Sequence, residues 1–222
     1  MRIVIDLQGA QTESRFRGIG RYSLSLTQAI AALRGEHEVL VALNGMFPDT
    51  IEGIRAALDD VLPQENIRVW FAPGPVKAAD PANQSRARIA ELMRESFIAG
   101  LEPDVVLITS LFEGYLDDAV LSIGEVPVKF PVVSMLYDLI PLVQSEQYLK
   151  PNPAYESFYQ SKLEQLKKAT AWLTISESSL AEARQHLALP VDRLVNISGA
   201  CDPIFKVIQL LPEDKAALAQ RF

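Results

Sequence analysis

Seven short apolar runs rich in β-branched side chains alternate with amphipathic stretches along this chain, and few folds accommodate that order. Strands interleaved with helices close as right-handed crossovers, giving a mostly parallel sheet with helices on both faces. The strand candidates are 3–5, 39–43, 67–71, 104–108, 131–136, 172–175 and 194–197. The second, Val39-Leu40-Val41-Ala42-Leu43, is apolar throughout, as burial on both faces requires. After the first, Tyr22, Leu26, Ala29, Ile30 and Leu33 share one face of a helix. Further helical patterns cover 51–62 and 89–101. Asn152-Pro153 reads as an N-cap with Pro at the first helical position, opening a helix whose apolar face holds Tyr155, Phe158, Tyr159, Leu163 and Leu166. Ser179-x-x-Glu182 resembles a capping box for another helix. The expected irregular stretch is 72–82, with Pro73, Pro75 and Pro81. The pattern predicts one α/β, doubly wound, Rossmann-like domain over 1–205. A linker and the start of a further helix are expected over 206–222.

Composition narrows the partners. The chain has 222 residues, 49% hydrophobic, with net charge −7, so it is neither disordered nor fibrous. Its longest charge-free run, Tyr22 to Leu33, is too short to cross a bilayer. No signal peptide is expected from the strand-like opening, Arg2 to Asp6. The single Cys201 cannot form an internal disulfide and reads as packing, and no Cys/His cluster has metal-ligand spacing. The acidic balance argues against nucleic-acid binding, and the expected setting is a reducing cytoplasm.

Ligands of open α/β sheets bind beyond the carboxyl ends of the strands. Four segments there are informative. In Arg15-Phe16-Arg17-Gly18-Ile19-Gly20-Arg21, two glycines, three arginines and a helix start coincide, which suits an anion. The pattern is not the dinucleotide fingerprint, because Ser23 replaces the third glycine and Asn44 stands where an acid would close strand two. Asp138, in Tyr137-Asp138-Leu139-Ile140-Pro141, either reads substrate hydroxyls or caps its own turn. Ser176 and Glu177, in Thr174-Ile175-Ser176-Glu177-Ser178-Ser179, fit helix capping better than ligand binding. Ser110 and Glu113, after strand four, carry the same ambiguity. The pairs Asp59-Asp60 and Asp117-Asp118 read as solvated helix faces or turns, and His37 and His186 lack catalytic partners nearby.

Taken in order, these segments resemble the N-terminal half of family 4 glycosyltransferases of the GT-B fold, of the bacterial O-antigen mannosyltransferase type. The resemblance is carried by Ile3 to Gly9, Arg17 to Tyr22, Tyr137 to Leu142, Leu173 to Ser178 and Val195 to Phe205. It implies retaining, metal-independent transfer of a sugar, with mannose the expected one, from a nucleotide-sugar such as GDP-mannose. No cofactor is implied. Gly18, Gly20 and Arg21 would lie at the donor's sugar and diphosphate, and Asp138 would position the reacting sugars. Arg17, Tyr137, Ser110, Glu113, Ser176 and Glu177 would face the acceptor, a growing polysaccharide or lipid-linked glycan. The resemblance also implies a C-terminal donor-binding domain absent from this chain, and it allows peripheral contact of the full protein with the inner face of a membrane.

Two departures stand out. Many relatives carry His where this chain has Tyr137. The family's Glu-x7-Glu signature of the donor-binding half has only a coincidental match, Glu156 and Glu164, on a predicted helix. The alternative is a non-catalytic partner subunit that binds acceptor and docks on a separate donor-binding chain. A nucleotide-dependent oxidoreductase is disfavoured by the glycine spacing and by Asn44.

Overall fold

A computed structural model describes residues 1–200 together with Lys215, Ala219 and Gln220. Cys201, the end of the last motif and all of the expected linker and helix start over 206–222 except Lys215, Ala219 and Gln220 fall outside these. Seven strands form one sheet: β1 (Arg2–Asp6), β2 (Glu38–Asn44), β3 (Ile67–Trp70), β4 (Val105–Ile108), β5 (Val132–Leu136), β6 (Ala171–Thr174) and β7 (Leu194–Asn196). Their order is β3-β2-β1-β4-β5-β6-β7, and every pairing is parallel. Strand order reverses between β1 and β4, where Ile5 pairs with Val41 on one side and Leu107 on the other. That reversal opens a crevice at the carboxyl edge.

Helices α1 (Gly18–Ala32) and α2 (Pro48–Leu58) cover one face, with Ala31, Ile54 and Leu58 packed on Ile5, Val41, Leu43 and Leu107. The other face takes α3 (Gln84–Gly100), α6 (Pro153–Lys167) and α7 (Glu177–Leu187), after two single turns, α4 (Ile140–Val143) and α5 (Ser145–Tyr148). There Ile98, Leu163, Leu166 and Leu180 bury Val4, Val106, Leu136 and Trp172. Successive strand residues point to opposite faces, so both layers bury an apolar row.

Three expectations need correction. Helix α7 is capped by Ser176, not Ser179: Ser176 has extended backbone and accepts from the Ser179 N–H at 3.1 Å, while Ser179 lies inside the first turn. The segment 72–82 is largely irregular, with a short 3-10 turn at Pro81–Asn83, but the longest irregular stretch among the described residues is 109–131, joining β4 to β5 without a helix. Asp117 and Asp118 are not solvated pendants. They are partly buried in that connection, where Asp117 accepts from Ala119 N–H and Asp118 from the N–H groups of Val76 and Lys77.

A buried connection without a helix must find partners for its backbone elsewhere. Side chains supply them. Gln8 donates to Val120 O at 2.7 Å and accepts from Val120 N at 2.9 Å. Asn44 donates to Asp118 O, Arg94 to Ser122 O, and Lys162 to Leu121 O. Glu95 accepts from Ser122 Oγ and from the N–H groups of Glu125 and Val126. Arg94 also meets Asp6 at 2.5 Å, both fully buried, so this ion pair locks α3 to β1.

Candidate functional site

The carboxyl edge of the sheet gathers the segments after β1, β4, β5 and β6. Between β1 and α1 the chain makes two 3-10 turns, Gln8–Ala10 and Glu13–Phe16, before Arg17 enters the helix. Among the described residues no side chain caps α1, and its first turn holds no acid. The exposed part of this first turn is Gly18, at the positive end of a 15-residue helix, whereas Gly20 is buried against Ser14 and Arg15. Arg17, Gly18 and Arg21 are exposed, and neither arginine side chain is engaged among the described residues. Arg15 is committed inward instead, donating to Gln11 O at 2.8 Å and lying over the Phe16 ring.

The two glycines differ. Nothing lies within 4 Å of where a Gly18 side chain would begin, whereas a Gly20 side chain would meet Ser14 O and the Arg15 backbone at 2.4 Å. Gly20 thus lets the second 3-10 turn fold onto α1, while Gly18 leaves the helix end approachable.

Glu113 and Ser110 come together with two residues that the sequence reading passed over. The Glu113 carboxylate accepts from Ser14 Oγ at 2.8 Å, Ser110 Oγ at 3.0 Å and Thr12 Oγ1 at 3.1 Å. Ser110 Cβ also lies where a Gly9 side chain would stand, 2.8 Å away, so the β1 and β4 loops touch closely. A cluster of hydroxyls ahead of the glycine segment is the signal that would have found Thr12 and Ser14. Their convergence on a carboxylate a hundred residues away has no local signature.

Tyr137 is turned into the structure. Its hydroxyl pairs with Ser23 Oγ at 2.9 Å, its ring packs edge-on against Tyr22, and burial pushes its phenol up to about 12. Its carbonyl accepts from Ser179 Oγ, joining β5 to α7. Asp138 is exposed, and its Oδ1 accepts from the Ile140 N–H at 3.0 Å, leaving Oδ2 unengaged among the described residues. Ser176 caps α7, and Glu177 accepts from Asn196 Nδ2 at 2.6 Å, bridging α7 to β7. Asn44 at the end of β2 is buried and bonded to Gln8 and Asp118, where a dinucleotide site would present an acid. Glu156 and Glu164 pair with Lys150 and Lys167 respectively.

No family model matches the chain. Among curated proteins it is 36% identical over its full length to the serotype-specific mannosyltransferase WbdA of Escherichia coli, covering 26% of that protein. A second Escherichia coli protein of that name is 33% identical over 89% of this chain, which spans 24% of its length. The chain thus spans about a quarter of the length of the curated relatives it matches. Among solved structures, Arabidopsis thaliana UGT89C1 complexed with UDP-L-rhamnose aligns with all of this chain and 62% of its own, at TM-score 0.52 and 15% identity. A putative UDP-N-acetylglucosamine 2-epimerase from Listeria monocytogenes aligns with 87% of this chain and 44% of its own, at TM-score 0.51 and 13% identity. The all-parallel sheet, the open carboxyl edge and the structural similarities give the chain a Rossmann-like fold like the N-terminal half of a GT-B protein, and its sequence resembles the mannosyltransferase WbdA along its whole length.

Proposed function

We propose that this chain is the acceptor-side domain of a retaining, metal-independent glycosyltransferase. It moves mannose from a nucleotide-sugar, GDP-mannose being the expected donor, to a growing polysaccharide or lipid-linked glycan. The observation that carries the reading is the uncapped N-terminus of α1 beside Asp138's edge, in a chain 36% identical to a mannosyltransferase. During transfer the bond from the anomeric carbon to the diphosphate breaks and its electron pair stays on the phosphate oxygen. The acceptor hydroxyl forms the new bond, and its proton passes to that leaving oxygen. The α1 N–H groups and Arg21 stabilise the leaving charge from fixed positions. Asp138 Oδ2 orients a sugar hydroxyl. Arg17 and the Ser110–Glu113 loop line the acceptor side, with Tyr137, Ser176 and Glu177 shaping it from behind.

The short span against the relatives supports a further donor-binding domain beyond the 1–205 unit. Cytoplasmic location and peripheral membrane contact belong to the same reading. No helix among the described residues is long and apolar enough to cross a membrane. Exposed Phe71, Ile89, Leu92 and Met93 beside the edge strand β3 offer an apolar surface that such contact would use.

The test compares the 222-residue chain with the longer protein that includes a donor-binding domain. Transfer from radiolabelled GDP-mannose is expected only from the longer protein, and calorimetry should find weak or no GDP-mannose binding by the chain alone. Tight donor binding by the chain alone would overturn the reading.

A further inference from the structure

A cleft of 610 Å³ lies on the face of the sheet away from α1 and α2. It runs between the start of α3, the outer side of α6 and the β4–β5 connection. Its volume falls in the range of about 300–1,000 Å³ usual for ligand clefts. Glu113 and Gly114 line it, so it meets the hydroxyl-clasped carboxylate at the sheet edge.

The charge balance is selective. Asp80, Glu91, Glu113, Glu125 and Glu164 line the cleft against Arg88, Lys162 and Lys168. Arg88 pairs with Glu125, and Lys168 approaches the same carboxylate. An excess of carboxylates disfavours phosphate and nucleotide ligands.

The remaining groups suit a neutral polyol. An ammonium carries three donors, and Lys162 spends one, on Leu121 O. Glu91 forms no close ion pair among the described residues; burial pushes its carboxyl up, against the opposing pull of the Lys162 charge and a hydrogen bond with the Gln165 side chain, which leaves part of its acceptor capacity unused. Gln165, also lining the cleft, has an Oε1 atom without a hydrogen-bond partner among the described residues. Phe158 is half-buried, with Lys162 Nζ 5.3 Å from its ring centroid and Tyr115 packed beside it, and Ser157 and Ser161 are exposed on the α6 wall. Spare donors, spare acceptors and one aromatic surface match the alternating hydroxyl and C–H faces of a pyranose.

We infer that this cleft holds a neutral saccharide unit of the acceptor, set back along the glycan from the sugar that reacts. The inference rests on the acceptor-side reading above and adds where the rest of the glycan lies. It gives the domain a grip on acceptor length that is separate from the reacting edge.

The test titrates the isotope-labelled chain with a linear α-linked mannotetraose, and separately with inorganic phosphate, following backbone amides by NMR. The tetrasaccharide is expected to shift Ala87, Glu91, Ser161 and Gln165, and phosphate is not. Ser161→Trp fills the cleft from an exposed position and should weaken tetrasaccharide binding about tenfold. Ser157→Trp, one turn away, is a second blocking variant should the first fail to fold. Shifts confined to Arg17–Gly20 and Asp138 would overturn the cleft and leave the acceptor-side reading standing. Cleft shifts without edge shifts would uphold the cleft and count against that reading. Phosphate shifts at the cleft, or no tetrasaccharide shift there, would overturn the inference.

Discussion

Glu113 accepts a hydrogen bond from Ser14 Oγ at 2.8 Å, so a carboxylate from the β4 loop holds the turn that precedes α1. With Thr12 and Ser110 bonded to the same group, removing it leaves three hydroxyls without their acceptor. Glu113→Ala is expected to cost about 1–3 kcal/mol in urea unfolding. Glu113→Gln keeps one carbonyl oxygen and should cost less. Equal, negligible losses would show that the clasp does not order the turn.

The two glycines should respond in opposite ways. Gly18→Val points into open space, so stability should change by no more than about 0.5 kcal/mol. In the longer enzyme the added bulk should block donor approach, raising KM about tenfold or lowering turnover by a like factor. Gly20→Ala drives a methyl into backbone, with an expected cost of about 1–3 kcal/mol. Thermal melts and initial rates on both variants check the contrast, and a Gly18→Val enzyme with both KM and turnover unchanged would sink the phosphate role.

Asp138→Asn retains an oxygen for the Ile140 N–H, so the turn should survive with little change in Tm. Loss of the charge should lower turnover of the longer enzyme about 10²-fold if Asp138 orients the reacting sugar. A large stability loss with normal turnover would instead mark a turn cap and nothing more.

Burial pushes the Lys162 amine down to about 8 from an ordinary 10.5. Between those values the unfolded chain holds a proton that the folded chain has released. The penalty of burying the charged amine is therefore full below about pH 8 and fades as pH rises to 10.5, so stability climbs across that window. Lys162→Met lacks the group. The stability of the natural chain minus that of the variant should rise by on the order of 2–3 kcal/mol over the window. Urea unfolding across a pH series measures it, and a flat difference would refute the shift.

The strands and the major helices were legible because side-chain period reports them directly. Val39 to Leu43 and the Tyr22-to-Leu33 face are examples. Helices α2 and α3 begin upstream of their apolar patterns, at Pro48 and Gln84, because first turns are often polar. The missing crossover helix between β4 and β5 was harder. Gly114, Gly124, Pro127 and Pro131 punctuate that stretch, but the apolar run 119–121 can belong to either a helix or a buried loop. Gln8, Arg94 and Lys162 were illegible as interior residues, since polar and charged side chains are ordinarily solvated and only tertiary backbone partners reverse that. At the edge, the positions of Ser110, Asp138 and Ser176 followed from strand ends. What each side chain bonds to did not, because Glu113's partners lie in a loop whose course the sequence does not encode locally.

The β4–β5 connection is fastened from beneath by Gln8, Asn44, Arg94, Glu95 and Lys162. Its outward residues, Leu116 foremost at 76% exposure, bear no such duty. The anchorage of this connection and the make-up of its outer surface are consequently set by separate residues. On the acceptor-side reading proposed above, an engineer seeking a different glycan has a rim to rewrite while the anchorage below stays untouched.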